Sequence, residues 1–555
     1  MNSEKDKPLK AVDFIAFFTI VIGFFMVMLD STIVNVSLPV MIRYFKTDMS
    51  TISWVVNAYN LAFSVLLLTG SRIADQFGRK KIFMVGIFFF TLTSFLSGIS
   101  TSVDMLIFYR ALQGLAGALI VPVSMPLIIE IFPVSKRGMV IGIWGAIAGL
   151  ASASGPALGG VIGEYLNWQW IFYINIPIGV IALIIIPFVV KESYDPTADR
   201  RIDWAGMITM SVAMFSVVLG LIQANDYGWG SPYILTLFVV AFLFFILFFF
   251  IEKRAKAPML PVALFKNIYF CTTNISLVIL GIGSMCGVFF TAFYLTQVKE
   301  FSQVKAGLVI TAYPMLLIVT SAITGLLSDK IGNRIFAFSG AILNCVAIYL
   351  MFGLNADSTL NDIIWRLAFC GGAIGFAFPS IVNASVKATP ADKIGMASAV
   401  GNVSRTLGAT LGVALLVTTV THFVEKEVEK ARVYASEIIM SDTVLTKDVK
   451  DTVVVKLTNA KFSKDSKLPS EEDILKIFEA RRDEAVKKAP DILKPAMKKV
   501  YEKQISEMSS LYKKIKKTFL DHVANAFSVT YKWSGIMLLV GLIFSFFCEP
   551  FKRRS

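Results

Sequence analysis

Histidine and cysteine are scarce in this 555-residue chain, which holds two of the first and five of the second. His422 and His522 are too few, and the cysteines too distant from them, to make a metal site. Cys271, Cys286, Cys345, Cys370 and Cys548 all stand in or beside apolar stretches. They read as small packing residues and not as a disulfide framework. Charged residues make up only 17% of the chain. No glycine-rich phosphate loop ending in Lys-Ser/Thr occurs, so the chain has no ATPase motif of its own to drive work. The net charge of +14 does not gather into one patch, which excludes a nucleic-acid surface. The first apolar run is too long, and lacks the small-residue cleavage site, to be a signal peptide.

What the chain does have is apolar surface: 55% hydrophobic residues, 46 of them Phe, with a mean hydropathy of +0.68. That composition describes a polytopic, all-α integral membrane protein. A spanning-helix template fits fourteen segments. They fall near 14–39, 52–70, 82–101, 105–131, 138–162, 169–190, 204–223, 233–251, 269–297, 306–328, 335–354, 362–386, 395–422 and 527–548. The basic clusters are Lys5/Lys7/Lys10, Arg72/Arg79/Lys80/Lys81, Lys136/Arg137, Lys191/Arg200/Arg201, Lys253/Arg254/Lys256, Lys330/Arg334, Lys387/Lys393 and Lys552/Arg553/Arg554. All share one face of the membrane, and Arg43, Lys46, Lys299 and Lys305 mark the other. The positive-inside rule then places both termini in the cytoplasm.

Within this apolar material Asp30 is the single acid well inside a span; Glu164, Asp203, Asp329 and Asp362 lie near ends. A carboxylate is costly in hydrocarbon, so it marks an ion or substrate pathway, or else pairs with a buried base to join two helices.

An internal repeat organises the spans. Ser71-Arg-Ile-Ala-Asp75-Gln-Phe-Gly78-Arg79-Lys80 follows span 2, and Gly325-Leu-Leu-Ser-Asp329-Lys-Ile-Gly332-Asn333-Arg334 follows span 10, with the same Asp/Gly spacing 254 residues later. Arg110 near the outer end of span 4 is echoed by Arg366 near the outer end of span 12. Two six-helix bundles with spans 7 and 8 inserted between them follow, the layout of transporters that rock about a midplane site. The expected divisions are 1–192, 193–266 for the inserted pair, and 267–423 with 526–555. The remaining 424–525 forms an extracytoplasmic helical insertion between spans 13 and 14.

The insertion contains no glycine. Ser470-Glu-Glu-Asp473 reads as a capping box opening a helix that stops near Pro490. From Met497 the apolar residues Tyr501, Ile505, Met508, Tyr512, Ile515 and Phe519 recur at helical steps, an amphipathic helix running into span 14. A lid, a partner-docking surface, a basic surface toward anionic envelope polymers, or a plain solvated insertion all fit.

Several segments together resemble a known family. Leu29-Asp30-Ser31-Thr32-Ile33-Val34-Asn35-Val36-Ser37-Leu38-Pro39 resembles a first-helix signature, 71–80 a gating loop, and Arg110-Ala-Leu-Gln113-Gly114-Leu-Ala-Gly117 a fourth-helix arginine motif. Gly155-Pro156-Ala-Leu-Gly159-Gly160 resembles a fifth-helix antiporter motif, and Trp168-Gln-Trp170-Ile-Phe172-Tyr-Ile-Asn175-Ile-Pro177-Ile-Gly179 the entry to span 6. The family is the major facilitator superfamily, and within it the fourteen-helix drug:proton antiporters of the EmrB/QacA type. Ser71 stands where that family usually has Gly, and Gln169 where it has Arg.

The resemblance implies a major facilitator fold in a bacterial plasma membrane, working by alternating access as a secondary transporter and not as an enzyme. No cofactor is expected; the proton gradient is the energy source. Partners reduce to the bilayer, small lipophilic compounds and an envelope component at 424–525, with the protein acting as a monomer. The resemblance also places Asp30 and Arg110 in a shared central cavity. Asp30 lies about 13 Å, and Arg110 roughly 8 Å, below the outer ends of their helices at 1.5 Å per residue, a difference an arginine stem covers. A proton on Asp30 would release Arg110, so the pair is the candidate coupling site, with a cationic drug as the competing ligand.

Asp75, Gly78, Arg79, Glu130, Asp329, Gly332 and Arg334 form the candidate cytoplasmic gate. Asp75 and Asp329 are expected just beyond their helices, Gly78 and Gly332 in tight turns, and Arg79 paired with Glu130. Gly155, Pro156, Gly159 and Gly160 are expected to serve packing and gating, as are Gly408 and Gly412 in span 13. Asn35, Asn57, Tyr59, Gln113, Gln297, Asn383, Asn402 and Arg405 are the candidate polar points of the cavity, among Phe and Met that suit promiscuous binding. The favoured function is proton-coupled export of lipophilic, cationic drugs. Export of a lipid, peptide or metabolite, and a non-transporting scaffold or sensor, are the alternatives.

Overall fold

Backbone amides have no partner in hydrocarbon, so an apolar segment satisfies them within a helix. A computed structural model describes residues 9–47, 49–133, 136–194, 201–255, 258, 260, 262–390, 393–447, 450–451, 453–455 and 471–550. Lys5, Lys7, Arg200, Lys256, Ser470, Lys552, Arg553, Arg554 and the side chain of Pro156 lie outside these residues. Thirteen described helices are long and apolar enough to cross a membrane. The 29-residue helix Arg137–Tyr165 makes the fourteenth. At 1.5 Å per residue it is about 44 Å long, against a hydrocarbon core of about 30 Å.

Spans 1 to 5 are Ala11–Phe45, Met49–Phe77, Arg79–Gly98, Val103–Ile131 and Arg137–Tyr165. Span 6 is broken at Ile174 into Trp170–Tyr173 and Asn175–Val189. Spans 7 and 8, Trp204–Tyr227 and Pro232–Arg254, form a hairpin. Span 9 is Ile268–Gln297, and span 10 is broken at Thr311 into Gln303–Ile310 and Ala312–Ile331. Asn333–Met351, Leu360–Lys387, Ile394–Ser441 and Lys494–Phe546 complete the set.

The repeat read from the loops extends to the packing. In the first bundle span 4 packs on spans 2 and 3, span 1 on spans 5 and 6, and span 3 on span 6. In the second, span 12 packs on spans 10 and 11, span 9 on spans 13 and 14, and span 11 on span 14. Missing side chains mark the same places. A Cβ on Gly114 would lie 2.3 Å from the Tyr59 carbonyl oxygen, and one on Gly371 would lie 1.7 Å from that of Tyr313. Span 5 approaches span 1 at Gly155, where a Cβ would meet Thr32 Oγ1 at 2.0 Å; span 13 approaches span 9 at Gly408, against the Val278 carbonyl at 2.0 Å. These close approaches follow the small-residue logic of helix association in lipid.

The inserted hairpin leans on spans 2 and 13. Asn225 Nδ2 donates to the Ala414 carbonyl at 3.2 Å and Trp229 Nε1 to Thr418 Oγ1 at 2.8 Å, fixing it to span 13.

Spans 13 and 14 do not stop at the membrane. They are 48 and 53 residues long, about 72 and 80 Å at the helical rise. Beyond their apolar portions the two helices pack on each other, and that of span 14 also on Glu471–Lys488, over a separate core of Ala435, Ile439, Leu445, Val453, Met508, Leu511, Tyr512 and Ile515. At the root of this structure His522 Nδ1 lies 2.6 Å from Glu427 Oε2, joining the two long helices. Lys516 and Glu300 pair at 2.8 Å, tying the insertion to the loop between spans 9 and 10.

Candidate functional site

Asp30 is fully buried, and the first bundle builds a complete shell around it. The Gly114 approach draws span 4 against span 2, so Arg110 Nε reaches the Val55 carbonyl at 3.1 Å. Arg110 Nη1 then donates to Asp30 Oδ2 at 2.5 Å and to Gln113 Oε1 at 2.7 Å. Gln113 Nε2 donates to Asp30 Oδ1 at 3.1 Å. The break at Ile174 sets Asn175 at the head of the longer piece of span 6, where Nδ2 donates to Asp30 Oδ1 at 2.9 Å and to Ser94 Oγ at 3.0 Å. Ser94 Oγ in turn donates to the Phe172 carbonyl at 2.9 Å.

The Arg110 guanidinium stands 4.2 Å from the Tyr59 ring centre and 5.7 Å from that of Phe172. Each charge is thus met by the other, by neutral donors and by aromatic faces, the conditions under which a buried pair can be held. The second bundle has the arginine but no matching acid. The repeat offset of 254–256 residues sends Asp30 to Ser284, Met285 and Cys286, and Nε and Nη1 of Arg366 are buried with no hydrogen-bond partner among the described residues.

This geometry corrects the expectation that Asp30 and Arg110 face a shared central cavity. They meet, but inside the first bundle, among spans 1, 2, 3, 4 and 6. The cavity lies between the bundles, where spans 4, 5, 9, 12 and 13 converge, and it is narrow in this state, with a volume of about 20 Å³. Met125, Trp144, Phe378, Asn402 and Arg405 are among its lining residues, and Asp30 is not. Trp144 stacks on Phe24 of span 1 at 4.4 Å and on Phe378 of span 12 at 6.2 Å between ring centres.

Of the eight polar points expected there, only Asn402 and Arg405 line it. Asn35 is exposed, and Asn57 and Gln297 are half-buried away from the cavity wall. Tyr59 and Gln113 belong to the Asp30 network. Asn383 sits at the basic face, where Nδ2 donates to Asp329 Oδ1 at 2.9 Å and to Asn333 Oδ1 at 3.0 Å.

The basic face carries the gate residues. Asp75 and Asp329 lie within the last turns of their helices, not beyond them, because each helix continues to the residue before the turn glycine. Gly78 and Gly332 have φ of +115° and +113°, backbone that suits glycine. Arg79 Nε binds Asp75 Oδ1 at 2.8 Å, and Nη1 pairs with Glu130. Asp329 reaches across the bundles: its Oδ2 accepts from the Gly138 amide at 3.2 Å, in the first turn of span 5, and its Oδ1 pairs with Lys387 at 2.8 Å. Arg334 is held by the Glu549 carbonyl and lies over the Phe546 ring.

Three parts of this arrangement escaped the sequence reading. Asn175 and Ser94 complete the Asp30 shell; Asn175 stands in the segment that resembles the entry to span 6, but nothing in that segment pairs it with Asp30. Trp144 and Phe378 form the aromatic cavity wall, indistinguishable in sequence from other aromatics. Glu192 accepts from the Lys80 and Lys81 amides at 2.9 and 3.3 Å, and Glu549 from the Asn333 and Arg334 amides at 2.8 and 3.3 Å. Each glutamate follows the last span of its bundle and caps the third, satisfying a helix start that has no residue of its own to do so.

A repeat of two six-helix bundles around one cavity, with an ion pair sealed in the first, defines a membrane transporter. The profile of the Major Facilitator Superfamily matches residues 20–205 and 199–413, and the chain belongs to that superfamily. It is 31% identical over 397 residues to the tetracenomycin C resistance and export protein of Streptomyces glaucescens, covering 72% of this chain and 74% of that one. It is 31% identical over 400 residues to the multidrug transporter protein MdtP of Bacillus subtilis, covering 72% and 73%. The riboflavin transporter RibZ of Clostridioides difficile is 33% identical over 397 residues, covering 71% and 85%. Among solved structures the human organic anion transporter MFSD10 shares the fold, with a TM-score of 0.53 at 13% identity, over 73% of this chain and 93% of that one. The chain is a multi-pass membrane protein of the drug-exporter type.

Proposed function

We propose that this protein exports lipophilic drugs across a bacterial plasma membrane in exchange for protons, its termini in the cytoplasm and its insertion outside. The observation that carries the proposal is the sealed Asp30–Arg110 pair, a titratable element set apart from the cavity. A proton on Asp30 cancels its hold on Arg110, and reorganising the pair moves span 1 against spans 4 and 6. Span 1 also carries Phe24, stacked on the cavity-lining Trp144. Proton and cargo therefore bias one helix from two sites, as a coupling free energy requires. A cationic preference would need Asp30 free for cargo, but Arg110, Gln113 and Asn175 occupy its carboxylate. Metabolite export is a second reading, favoured by the likeness to RibZ.

The test is purified protein in liposomes with an imposed pH gradient and a panel of cationic, neutral and anionic aromatic dyes. At least one dye should accumulate against its gradient, with proton flow the opposite way, and an ionophore should abolish both. Dye movement indifferent to the ionophore would sink the proposal.

The insertion we assign to docking an envelope component. Its core is separate from those of the bundles, and in the proposed orientation it stands outside the cell. Deleting residues 440–515 should leave dye export within about twofold, since a docking surface contributes little to the transition between access states. A tenfold loss would identify a lid instead.

A further inference from the structure

We propose that Arg405 anchors an acidic group on the cargo, so that the cavity selects planar aromatic compounds bearing an anionic substituent. The inference rests on the export reading and adds the substrate class to it. Arg405 lies 11 residues into span 13 from Ile394, about 17 Å along the helix and near mid-bilayer. That is further from either headgroup layer than an arginine stem spans, so the side chain does not snorkel. It lines the cavity, and among the described residues it makes no hydrogen bond or ion pair.

No carboxylate stands among the twelve residues that line this space. The one acid deep in a span, Asp30, is neutralised by Arg110 inside the first bundle. The cavity therefore has an uncompensated positive potential in surroundings of low dielectric, where a guanidinium left without an anion is costly. Ser385 and Ser398 line the same cavity, are 3% and 6% exposed, and their hydroxyls have no hydrogen-bond partner among the described residues.

Beside them Trp144 and Phe378 present nearly parallel faces, 16° apart. A cation, two neutral hydroxyls and flat aromatic walls together match the chemistry of an aryl sulfonate, carboxylate or phenolate, which would enter once the bundles part. Arginine binds such an oxygen pair through two parallel donors, and the rings take the hydrocarbon. A lipophilic cation would meet repulsion from the same guanidinium.

The experiment uses full-length protein in nanodiscs, with 8-anilinonaphthalene-1-sulfonate, its neutral counterpart N-phenyl-1-naphthylamine, and ethidium as probes. The sulfonate should bind at least tenfold more tightly than the neutral amine. Arg405→Gln should weaken the sulfonate at least tenfold and leave the amine within twofold, and Arg405→Lys should keep part of the preference. Equal weakening of sulfonate and amine by Arg405→Gln would assign Arg405 to packing and overturn the proposal. So would equal affinities in the unaltered protein, or ethidium as the tightest probe. The same probes in liposomes separate this inference from the export reading. Arg405-dependent sulfonate binding without gradient-driven movement of any probe would sustain the anion site and end the export reading. Gradient-driven ethidium export unaffected by Arg405→Gln, with no sulfonate preference, would do the reverse.

Discussion

Asp30→Asn is expected to reduce pH-gradient-driven export to background while sparing membrane insertion. Asparagine keeps the size of the side chain and a carbonyl oxygen that can still accept from Asn175, but it takes up no proton in the working range. The substitution also strips Arg110 of its counter-charge in a fully buried site. Breaking a buried pair from one side costs about 3–5 kcal/mol, because the remaining charge stays desolvated. Thermal stability should therefore fall with Asp30→Asn and with Arg110→Gln singly, and fall less in the double variant than the two singles sum to. That non-additivity separates a lost pair from general damage. Downhill dye exchange, which needs no proton cycle, should persist in whichever variants still fold. Gradient-driven export retained by Asp30→Asn would show that the pair is structural and that protons bind elsewhere.

Gly142→Leu should open the protein at its basic face. Spans 5 and 10 run in contact between the two faces, and glycines of span 5 set their separation. A Cβ on Gly142 would lie 2.7 Å from the Ser321 carbonyl oxygen and 3.0 Å from the Gly325 Cα, both backbone atoms with nowhere to move. Overpacking of this kind costs about 1–3 kcal/mol. Here the cost falls on the state in which the basic ends touch. At about 1.4 kcal/mol per factor of ten, the equilibrium should shift by roughly 5- to 140-fold.

A cysteine replacing the buried Ser321, in a background without other cysteines, should label with a maleimide at least about tenfold faster at the mid-range of that shift. Export should fall in parallel. Gly160→Leu is the control at the other end, where a Cβ would lie 3.1 Å from the Val304 Cα, and it should leave labelling at Ser321 unchanged or slower. Faster labelling in both variants would indicate loosening of the fold and not a gate.

The repeat was legible because its residues answer to local demands. Gly78 and Gly332 hold a positive φ that favours glycine, so the two loops kept the same letters. Arg110 and Asp30 were matched by depth, since the helical rise turns residue numbers into distance along the membrane normal. Depth, however, says nothing about direction around the helix axis. In a soluble helix the polar face reveals the buried one, but in lipid both faces are apolar and that signal is lost. Asp30 was therefore read as facing the cavity when it faces its own bundle, and Asn383 as a cavity residue when it braces Asp329.

Class, spans and the two-bundle repeat were determined by sequence alone, because burying some twenty apolar residues in hydrocarbon and turning at a glycine are properties of single segments. Which polar groups meet was decided only by the tertiary structure. Asn175 reaches Asp30 across 145 residues, Glu549 caps a helix that starts 216 residues earlier, and Arg405 is left facing a cavity with no acid. Those partnerships depend on how helices rotate and approach, which small side chains and backbone contacts set only once the bundle is assembled.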